Sequence, residues 1–428
     1  MQFANRPEPI IMKRPNPSFQ KQPLPAVTNW HPQHNSLRTV PNFYPLEKSS
    51  RYIHDSAENI AARMSDACRL MSVHAEYDNE AGTALLMTDD HVEIFVSLWK
   101  GDVQHSPSTP EGKTEQDDAE DENFVTIVEV QRRKGCSVSF HKYGRRLLDS
   151  ASGNFTPDDN SYSIPKVSPS IQEEKKKDEE SSVLALEIAA SLLRKDRMDA
   201  RRLGLESLCL LTDPEKAGIE TARLSSQVVL FGSVQDAQAE NADFIPDELG
   251  IREAILSLVQ FGRLGEYGDF EDDLEDDEVD NDEKEFNEVL HNLALGVLSN
   301  ALAALEPDKK AWEDVSDSTD SFLEESREIS KKELLSTLLS VLGKAEAKPH
   351  DACLSAQCLK SLFQASKKAK KRARELKAKQ IVMTALDVGR RTHVKLETET
   401  KRIIKELEKN DDEEEDVERE NNAREDSE

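Results

Sequence analysis

The sequence has little cysteine, no long apolar run and no secretory leader, and each absence excludes a class of protein. Its five cysteines, at positions 68, 136, 209, 353 and 358, are scattered and odd in number, unlike a secreted disulfide framework. No apolar stretch reaches the roughly 18 residues of a membrane span, and the first residues lack the apolar core of a leader. We therefore expect an intracellular protein, cytoplasmic, nuclear or both, with no transmembrane segment.

Positive charge and aromatic residues are also scarce. The chain of 428 residues carries 84 Asp and Glu against 56 Lys and Arg, a net charge of -28, and only 5% of its residues are aromatic. Because phosphate backbones attract surplus Lys and Arg, we expect protein partners, basic ones favoured, and no nucleic acid as the primary partner. With 33% of residues charged, folded modules should alternate with long solvated segments.

Composition and periodicity divide the chain into five segments. We predict a disordered arm at 1–45, a small α+β module at 46–153 with a disordered insert at 102–122, a linker at 154–181, a helical domain at 182–409 with acidic inserts near 266–285 and 306–326, and an acidic disordered tail at 410–428.

The α+β module shows both helical and strand periodicity. Apolar residues recur at helical spacing from Ile53 to Met71, and HVEIFVSLWKG alternates so that Ile94, Val96 and Leu98 share a face. Strand signal returns at FVTIVEVQRRKG and at CSVSF, and a short helix, HKYGRRLLDSAS, follows. The predicted order is helix, about four antiparallel strands, helix, with the helices on one face of the sheet.

The helical half contains paired apolar helices. The carrying segments are ALEIAASLL with RRLGLESLCLLTDPE, and LGIREAILSLVQFG with NEVLHNLALGVLSNALAAL; a long charged helix is predicted from about Lys367 to Lys409. These pairs resemble armadillo or HEAT repeat proteins over roughly residues 182 to 405. The resemblance implies an armadillo-like α-solenoid of about three repeats, whose stacked pairs share one core.

The N-terminal module resembles the kinase-associated C-terminal domain over about residues 50–153. HVEIFVSLWKG, VTIVEVQRRKGCSVSFHKYGRRLLDSASG and the preceding helix carry this resemblance. It implies a regulatory or docking module, in some family members one that contacts acidic lipid headgroups peripherally. The sequence has no Gly-rich loop, HRD or DFG motif, so the resemblance does not imply phosphoryl transfer.

Two basic clusters are candidate binding surfaces. The first, a candidate anion or partner-binding patch, comprises Arg132, Arg133, Lys134, Lys142, Arg145 and Arg146. The second, a candidate nuclear import signal or phosphate-binding stripe, comprises Lys367, Lys368, Lys370, Lys371, Arg372 and Arg374. Each has a plainer interpretation: a solvated turn and outer helix face for the first, and for the second a helix whose cations pair with acids of the same chain.

Catalytic and metal-binding constellations are not predicted. Cys353 and Cys358 lie five residues apart with no second pair, which favours buried core thiols over a metal site. Paired-acid catalysis needs two fixed carboxyl groups, and nearly all acids here lie in long runs. We predict no catalytic residues, no metal ligands and no cofactor.

The sequence thus favours a non-enzymatic scaffold or adaptor that binds proteins through an armadillo-like helical surface. One alternative is an acidic, chaperone-like carrier of basic nuclear or ribosomal proteins, for which the acidic segments would be the binding elements. Another is a regulatory subunit of a kinase, in line with the kinase-associated resemblance.

Overall fold

The computed structural model describes residues 30–41, 43–46, 48–101, 125–156, 175–232, 250–263, 281–304, 319–320, 322–327 and 332–409. Within these residues the protein is mostly helical, with a small antiparallel sheet near the N-terminus. This confirms the prediction of a mostly helical chain with a small antiparallel sheet module near the N-terminus. The insert at 102–122, the tail at 410–428 and residues 1–29 of the arm lie outside the described residues.

The N-terminal module is a five-stranded antiparallel sheet with two helices. Its elements are β1 (Ser50–Ile53), α1 (Ala57–Met71), β2 (His74–Asp78), β3 (Thr83–Met87), β4 (Glu93–Lys100), β5 (Thr126–Lys134) and α2 (Ser137–Ala151). The strand order is β1-β5-β4-β3-β2. The sheet has one strand more than predicted, because Ser50–Ile53 pairs with β5 at the edge and Ile53 belongs to β1, not to α1.

The alternating pattern of β4 determines where the core of this module lies. Ile94, Val96 and Leu98 are buried as predicted, and they share one hydrophobic cluster with Ile60 of α1 and Leu147 of α2. Helices and strands therefore bury their apolar stripes against each other. Helix α1 begins where the Ser56 hydroxyl accepts a hydrogen bond from the Asn59 backbone N–H.

The predicted strand at CSVSF is wrong. Gly135 adopts φ +93, where a Cβ would clash with the backbone at His91 and Val92, and the chain turns there into α2. From Ser137 the backbone is helical, and Phe140, Tyr143 and Leu147 are buried at helical spacing. The short alternating run resembled a strand only because its helical period could not be seen over five residues.

The predicted disordered arm is also wrong from residue 30 onward. The Trp30 ring is 1% exposed and stacks on Tyr77, with ring centroids 5.5 Å apart. Leu37 is buried in the same cluster, and the Lys100 N–H donates to the Arg38 carbonyl at 2.9 Å. Burying these large apolar groups offsets the entropy of ordering a Pro-rich segment.

The remaining described elements are helices that share one core. They are α3 (Lys175–Leu193), α4 (Met198–Leu211), α5 (Pro214–Ala217), α6 (Ile219–Phe231), α7 (Ile251–Phe261), α8 (Asn281–Ala304), α9 (Leu334–Gly343), α10 (Pro349–Ala365), α11 (Lys367–Glu375), α12 (Ala378–Thr392) and α13 (Val394–Glu408). Leu208, Leu298, Leu338 and Leu359 belong to a single buried cluster, so the helices form one packed body.

Several predicted boundaries in this half are wrong. The linker at 154–181 ends inside α3, which begins at Lys175, and the acidic insert near 266–285 ends inside α8, which begins at Asn281. The insert near 306–326 ends in helical residues 322–327, where Phe322 is buried and Glu325 pairs with Arg252 at 2.6 Å. Phe322 and the Glu325–Arg252 pair hold the last of these segments on the core.

The long charged helix predicted from Lys367 to Lys409 is three helices. Lys377 breaks it between α11 and α12 by adopting the left-handed conformation, φ +58. His393 breaks it again between α12 and α13 with an extended backbone, φ -151. Gly389 permits the second corner, because a Cβ there would lie 2.5 Å from the Glu397 nitrogen.

Candidate functional site

The first predicted basic cluster lies on two elements of the sheet module. Arg132, Arg133 and Lys134 end β5, and the other three residues, Lys142, Arg145 and Arg146, lie on α2, which packs against β5. The Arg133 guanidinium lies 4.3 Å from the centroid of the Phe95 ring, and Lys134 pairs with Glu285 of α8 at 2.5 Å. Part of this cluster therefore joins the module to the helices, and its role in binding an anion or partner stays a prediction.

All six residues of the second basic cluster lie on α11. Arg372 donates two hydrogen bonds to the Glu333 carboxylate, at 2.7 and 2.9 Å, and one to Glu375. Lys368 lies 3.1 Å from Asp320, and Arg374 donates to the Leu407 carbonyl. Lys370 is buried and lies 4.0 Å from Glu406, while Lys367 and Lys371 are exposed. These contacts favour the interpretation as a salt-bridged helix, and the import signal stays a prediction.

A groove lies between α4, α7, α8 and α9 of the helical body. Its volume is about 1270 Å³. The lining residues are Met198 and Arg201 of α4; Val259, Gln260, Phe261, Gly262 and Arg263 at the end of α7; Glu283, Lys284, Asn287, Glu288, Leu290 and His291 of α8; and Lys332, Glu333, Ser336, Thr337, Ser340, Val341, Lys344 and Lys348 in and around α9.

The end of α7 forms one wall of this groove and is held in place by specific bonds. Gly262 adopts φ +71, the left-handed conformation that favours glycine, and its N–H donates to the Leu258 carbonyl at 2.9 Å. The Ser257 hydroxyl donates to the Arg263 carbonyl at 2.8 Å, and His291 Nδ1 lies 2.9 Å from the Leu258 oxygen. The groove wall is thus fixed on both sides of Gln260.

Gln260 is the unusual residue of the groove. It is 7% exposed, and both its Nε2 and its Oε1 are buried without a hydrogen-bond partner among the described residues. Leaving a buried donor or acceptor unpaired costs about 1–3 kcal/mol, so native proteins rarely do it without reason. A polar ligand in the groove would remove that cost.

Charge in the groove is predominantly positive. Six Lys or Arg side chains line it against three Glu. Two of the cations are paired, Lys348 with Glu288 at 3.0 Å and Arg201 with Asp196 at 3.2 Å, and Glu333 is paired with Arg372. The hydrogen bond from Arg372 lowers the pKa of Glu333, which keeps that carboxylate ionised and paired. Lys284 and Lys344 form no ion pair within the described residues. Lys332 Nζ lies 4.4 Å from the Phe261 ring centroid.

A second group of titratable side chains lies where the sheet module meets the helices. His350 Nε2 lies 3.0 Å from the Met87 carbonyl oxygen at the end of β3, and its Nδ1 lies 3.2 Å from His393 Nε2. The Leu396 N–H donates to His393 Nδ1 at 3.3 Å. Nearby, Lys395 pairs with Asp89, which accepts a hydrogen bond from the Tyr143 hydroxyl at 2.6 Å.

This second group, the seam cluster of Asp89, His350, His393 and Lys395, is held in defined charge states. Burial lowers the pKa of His350, and it lowers that of His393 to about 3. Burial alone would raise the pKa of Asp89, but the Lys395 ammonium and the Tyr143 hydroxyl outweigh it and lower that pKa to about 2. The cluster therefore combines neutral imidazoles with a carboxylate–ammonium pair.

Metal and thiol chemistry find little support in the described part of the chain. No three His, Cys, Asp or Glu side chains there are grouped as a metal ion requires. Cys353 and Cys358 are buried, as predicted for core thiols. Burial raises the pKa of the Cys353 thiol to about 12 and that of Cys358 further. Cys136 is the exposed thiol: it precedes α2, and hydrogen bonds from the Ser139 and Val138 N–H groups lower its pKa.

Sequence reasoning missed both the groove and the seam cluster. Gln260 is one amide in an apolar helix, and nothing local marks it as unpaired. The seam cluster draws on β3, α10 and α13, which are distant in sequence and meet only in the fold.

Comparison with protein-family models, curated proteins and solved structures finds no match to this chain. Among the described residues, none of the helices has the length and apolarity that crossing a membrane requires.

Proposed function

We propose that the protein is a non-enzymatic interaction scaffold or adaptor that binds partner proteins in the groove between α4, α7, α8 and α9. The observation that carries this proposal is Gln260, a buried amide with both polar atoms unpaired on the wall of a groove of about 1270 Å³. An armadillo-like stacking of the helices is part of the proposal, because stacked helix pairs form extended concave surfaces suited to peptides.

The sheet module contributes a second docking surface in this proposal. Its kinase-associated resemblance implies a regulatory or docking role. Five residues of the first basic cluster are exposed on it: Arg132, Arg133, Lys134, Lys142 and Arg145. The pair between Asp89 and Lys395 and the hydrogen bond between His350 and the Met87 carbonyl join the module to the helices that carry the groove.

The test compares partners captured from native extract by the full chain and by groove variants. Ser340 is exposed on the groove wall, so Ser340→Trp should obstruct the groove. Thr384→Trp, on the exposed face of α12, is the matched control. We expect Ser340→Trp to lose a defined set of partners that the parent and Thr384→Trp both retain. Equal capture by all three would exclude the groove as the binding surface.

The acidic carrier remains the competing function, and the same experiment separates it. A variant in which residues 266–280 and 411–428 are replaced by Gly-Ser linkers keeps the described helices intact. If this variant loses the partners and Ser340→Trp retains them, the acidic segments are the binding elements and the carrier function replaces the scaffold.

A further inference from the structure

We infer that the groove binds an extended acidic peptide segment of a partner protein, with the Gln260 amide bonding to the peptide backbone. This inference rests on the proposed function and specifies its ligand. Three features of the groove carry it: the unpaired amide, the local excess of positive charge and the exposed hydroxyl groups of α9.

The unpaired amide favours an extended peptide backbone. A glutamine side chain offers one carbonyl acceptor and an NH₂ donor, and a peptide unit offers one N–H and one C=O. In an extended chain these groups are free, whereas in a helix they are already paired. Both polar atoms of Gln260 lack a partner among the described residues, and Gln260 lines the groove. Both atoms are buried, so a ligand bonds to this amide only after the side chain rotates toward the groove.

The charges of the groove favour acidic side chains in that peptide. Lys284 and Lys344 have no ion-pair partner in the described chain, whereas Glu288 and Glu333 are already paired with Lys348 and Arg372. The acidic run at 266–280 lies in sequence between Arg263 and Glu283, which both line the groove. Interactions between exposed charges fade beyond about 8 Å at physiological salt, so the charges that line the groove act most strongly on a bound peptide.

The hydroxyl groups of α9 complete the polar surface. Ser336 and Ser340 are exposed, line the groove and lie four residues apart, on one face of the helix. Hydroxyl donors and ammonium groups side by side suit carboxylates, which accept hydrogen bonds only. A single-stranded RNA offers phosphates to the cations and base edges to a glutamine amide, so it is the competing ligand that the test must include.

Fluorescence anisotropy with the full chain tests the inference. The probes are labelled peptides of alternating glutamate and serine, of alternating lysine and serine, and a single-stranded RNA. We expect saturable binding of the acidic peptide alone, weakened at least tenfold between about 0.05 M and about 0.5 M salt. Lys344→Glu should weaken binding about tenfold, whereas Lys405→Glu, an exposed charge reversal on α13, should leave it unchanged.

Gln260→Leu separates a binding role from a structural one. Replacing the unpaired amide by an apolar side chain of similar size should leave the thermal unfolding midpoint unchanged or raise it. The same change should weaken the acidic peptide about tenfold. Parent-like binding by Gln260→Leu, equal binding of the basic peptide, or RNA binding with the same residue dependence would overturn the inference.

A further variant, with residues 266–280 replaced by a Gly-Ser linker, tests whether the chain's own acidic segment occupies the groove. If this variant binds the acidic peptide and the parent does not, the acidic segment is the occupant. A partner peptide is then excluded. If no variant binds the peptide while Ser340→Trp still loses partners from extract, the ligand inference fails and the scaffold function stands.

Discussion

His350 and His393 meet edge to face, with ring centroids 5.1 Å apart, and together they link α13 to β3 by a continuous chain of hydrogen bonds. The Leu396 N–H donates to His393 Nδ1, His393 Nε2 donates to His350 Nδ1, and His350 Nε2 donates to the Met87 carbonyl. Each ring must therefore be neutral, because protonation of either Nδ1 would remove an acceptor from the chain. Asp89, Asp351, Lys395 and His74 are the charged or titratable groups that face the pair.

The first prediction is a loss of stability in mild acid. Because burial depresses the pKa of His393 to about 3 and lowers that of His350, the unfolded chain binds more protons below its ordinary histidine pKa of 6.5. Stability should be complete above pH 6.5 and fall as the pH drops toward 4, by about 1–2 kcal/mol per histidine. Urea unfolding across this pH range measures the loss.

His393→Gln should flatten this pH dependence, and His141→Gln, at an exposed position of α2, is its control. A parent whose stability is constant between pH 6.5 and 4.5 would contradict the chain of neutral imidazoles.

The second prediction concerns the ion pair between Asp89 and Lys395. The Asp89 carboxylate also accepts a hydrogen bond from the Tyr143 hydroxyl, and the pKa of Asp89 is lowered to about 2. The ion pair should therefore stabilise the fold above pH 3.8 and weaken as the pH falls toward 2. The side chains are 36% and 57% exposed, so solvent screening limits their coupling to about 0.5–1 kcal/mol. A double-mutant cycle of Asp89→Asn with Lys395→Met, analysed by urea unfolding, measures it.

High salt should reduce this coupling energy, since both groups face water. A cycle that gives additive effects would show that the pair contributes nothing to holding the module against α13.

Local alternation of apolar residues predicted β4, whereas features that depend on contacts between distant segments could not be predicted from the sequence. Alternation identified β4 because Ile94, Val96 and Leu98 are neighbours on one strand. β1 has only four residues and is defined by pairing with β5, so no local period reveals it. Trp30 looked like part of a Pro-rich arm because its partner, Tyr77, lies on another element.

The breaks in the charged segment from Lys367 to Lys409 show a second limit of prediction from the sequence. Lys377 takes a left-handed conformation that sequence rules reserve for glycine or asparagine, so no local signal predicts the break there. The candidate site was beyond prediction for the same reason: Gln260 becomes informative only when its surroundings show that its amide lacks a partner.

The third prediction concerns the cysteines. Cys136 is exposed and its pKa is lowered by backbone N–H groups at the start of α2, so its thiolate forms most readily. Burial raises the pKa of Cys68, Cys209 and Cys353 to about 12. Brief iodoacetamide treatment of the native chain should therefore alkylate Cys136 first, as mass spectrometry of the peptides would show.

Cys136→Ser should abolish the fast phase of alkylation, and denaturant should make all five thiols reactive. Equal labelling of Cys209 in the native chain would contradict the burial described for it.

The last prediction concerns the corner between α12 and α13. A Cβ at Gly389 would lie 2.5 Å from the Glu397 nitrogen and 2.9 Å from its Cα, both backbone atoms that cannot turn aside. Gly389→Ala should therefore push the two helices apart and destabilise the fold by about 1–3 kcal/mol. Gly343→Ala is the matched control, since the nearest atom to its Cβ is a side-chain carbon of Ile381 at 3.8 Å. At that helical position alanine should stabilise by up to about 1 kcal/mol. If Gly389→Ala lowers the free energy of unfolding in urea and Gly343→Ala raises it, then backbone contact at the corner, and not helix propensity, requires Gly389. If both variants raise the free energy of unfolding, α12 and α13 pack less closely at the corner than described.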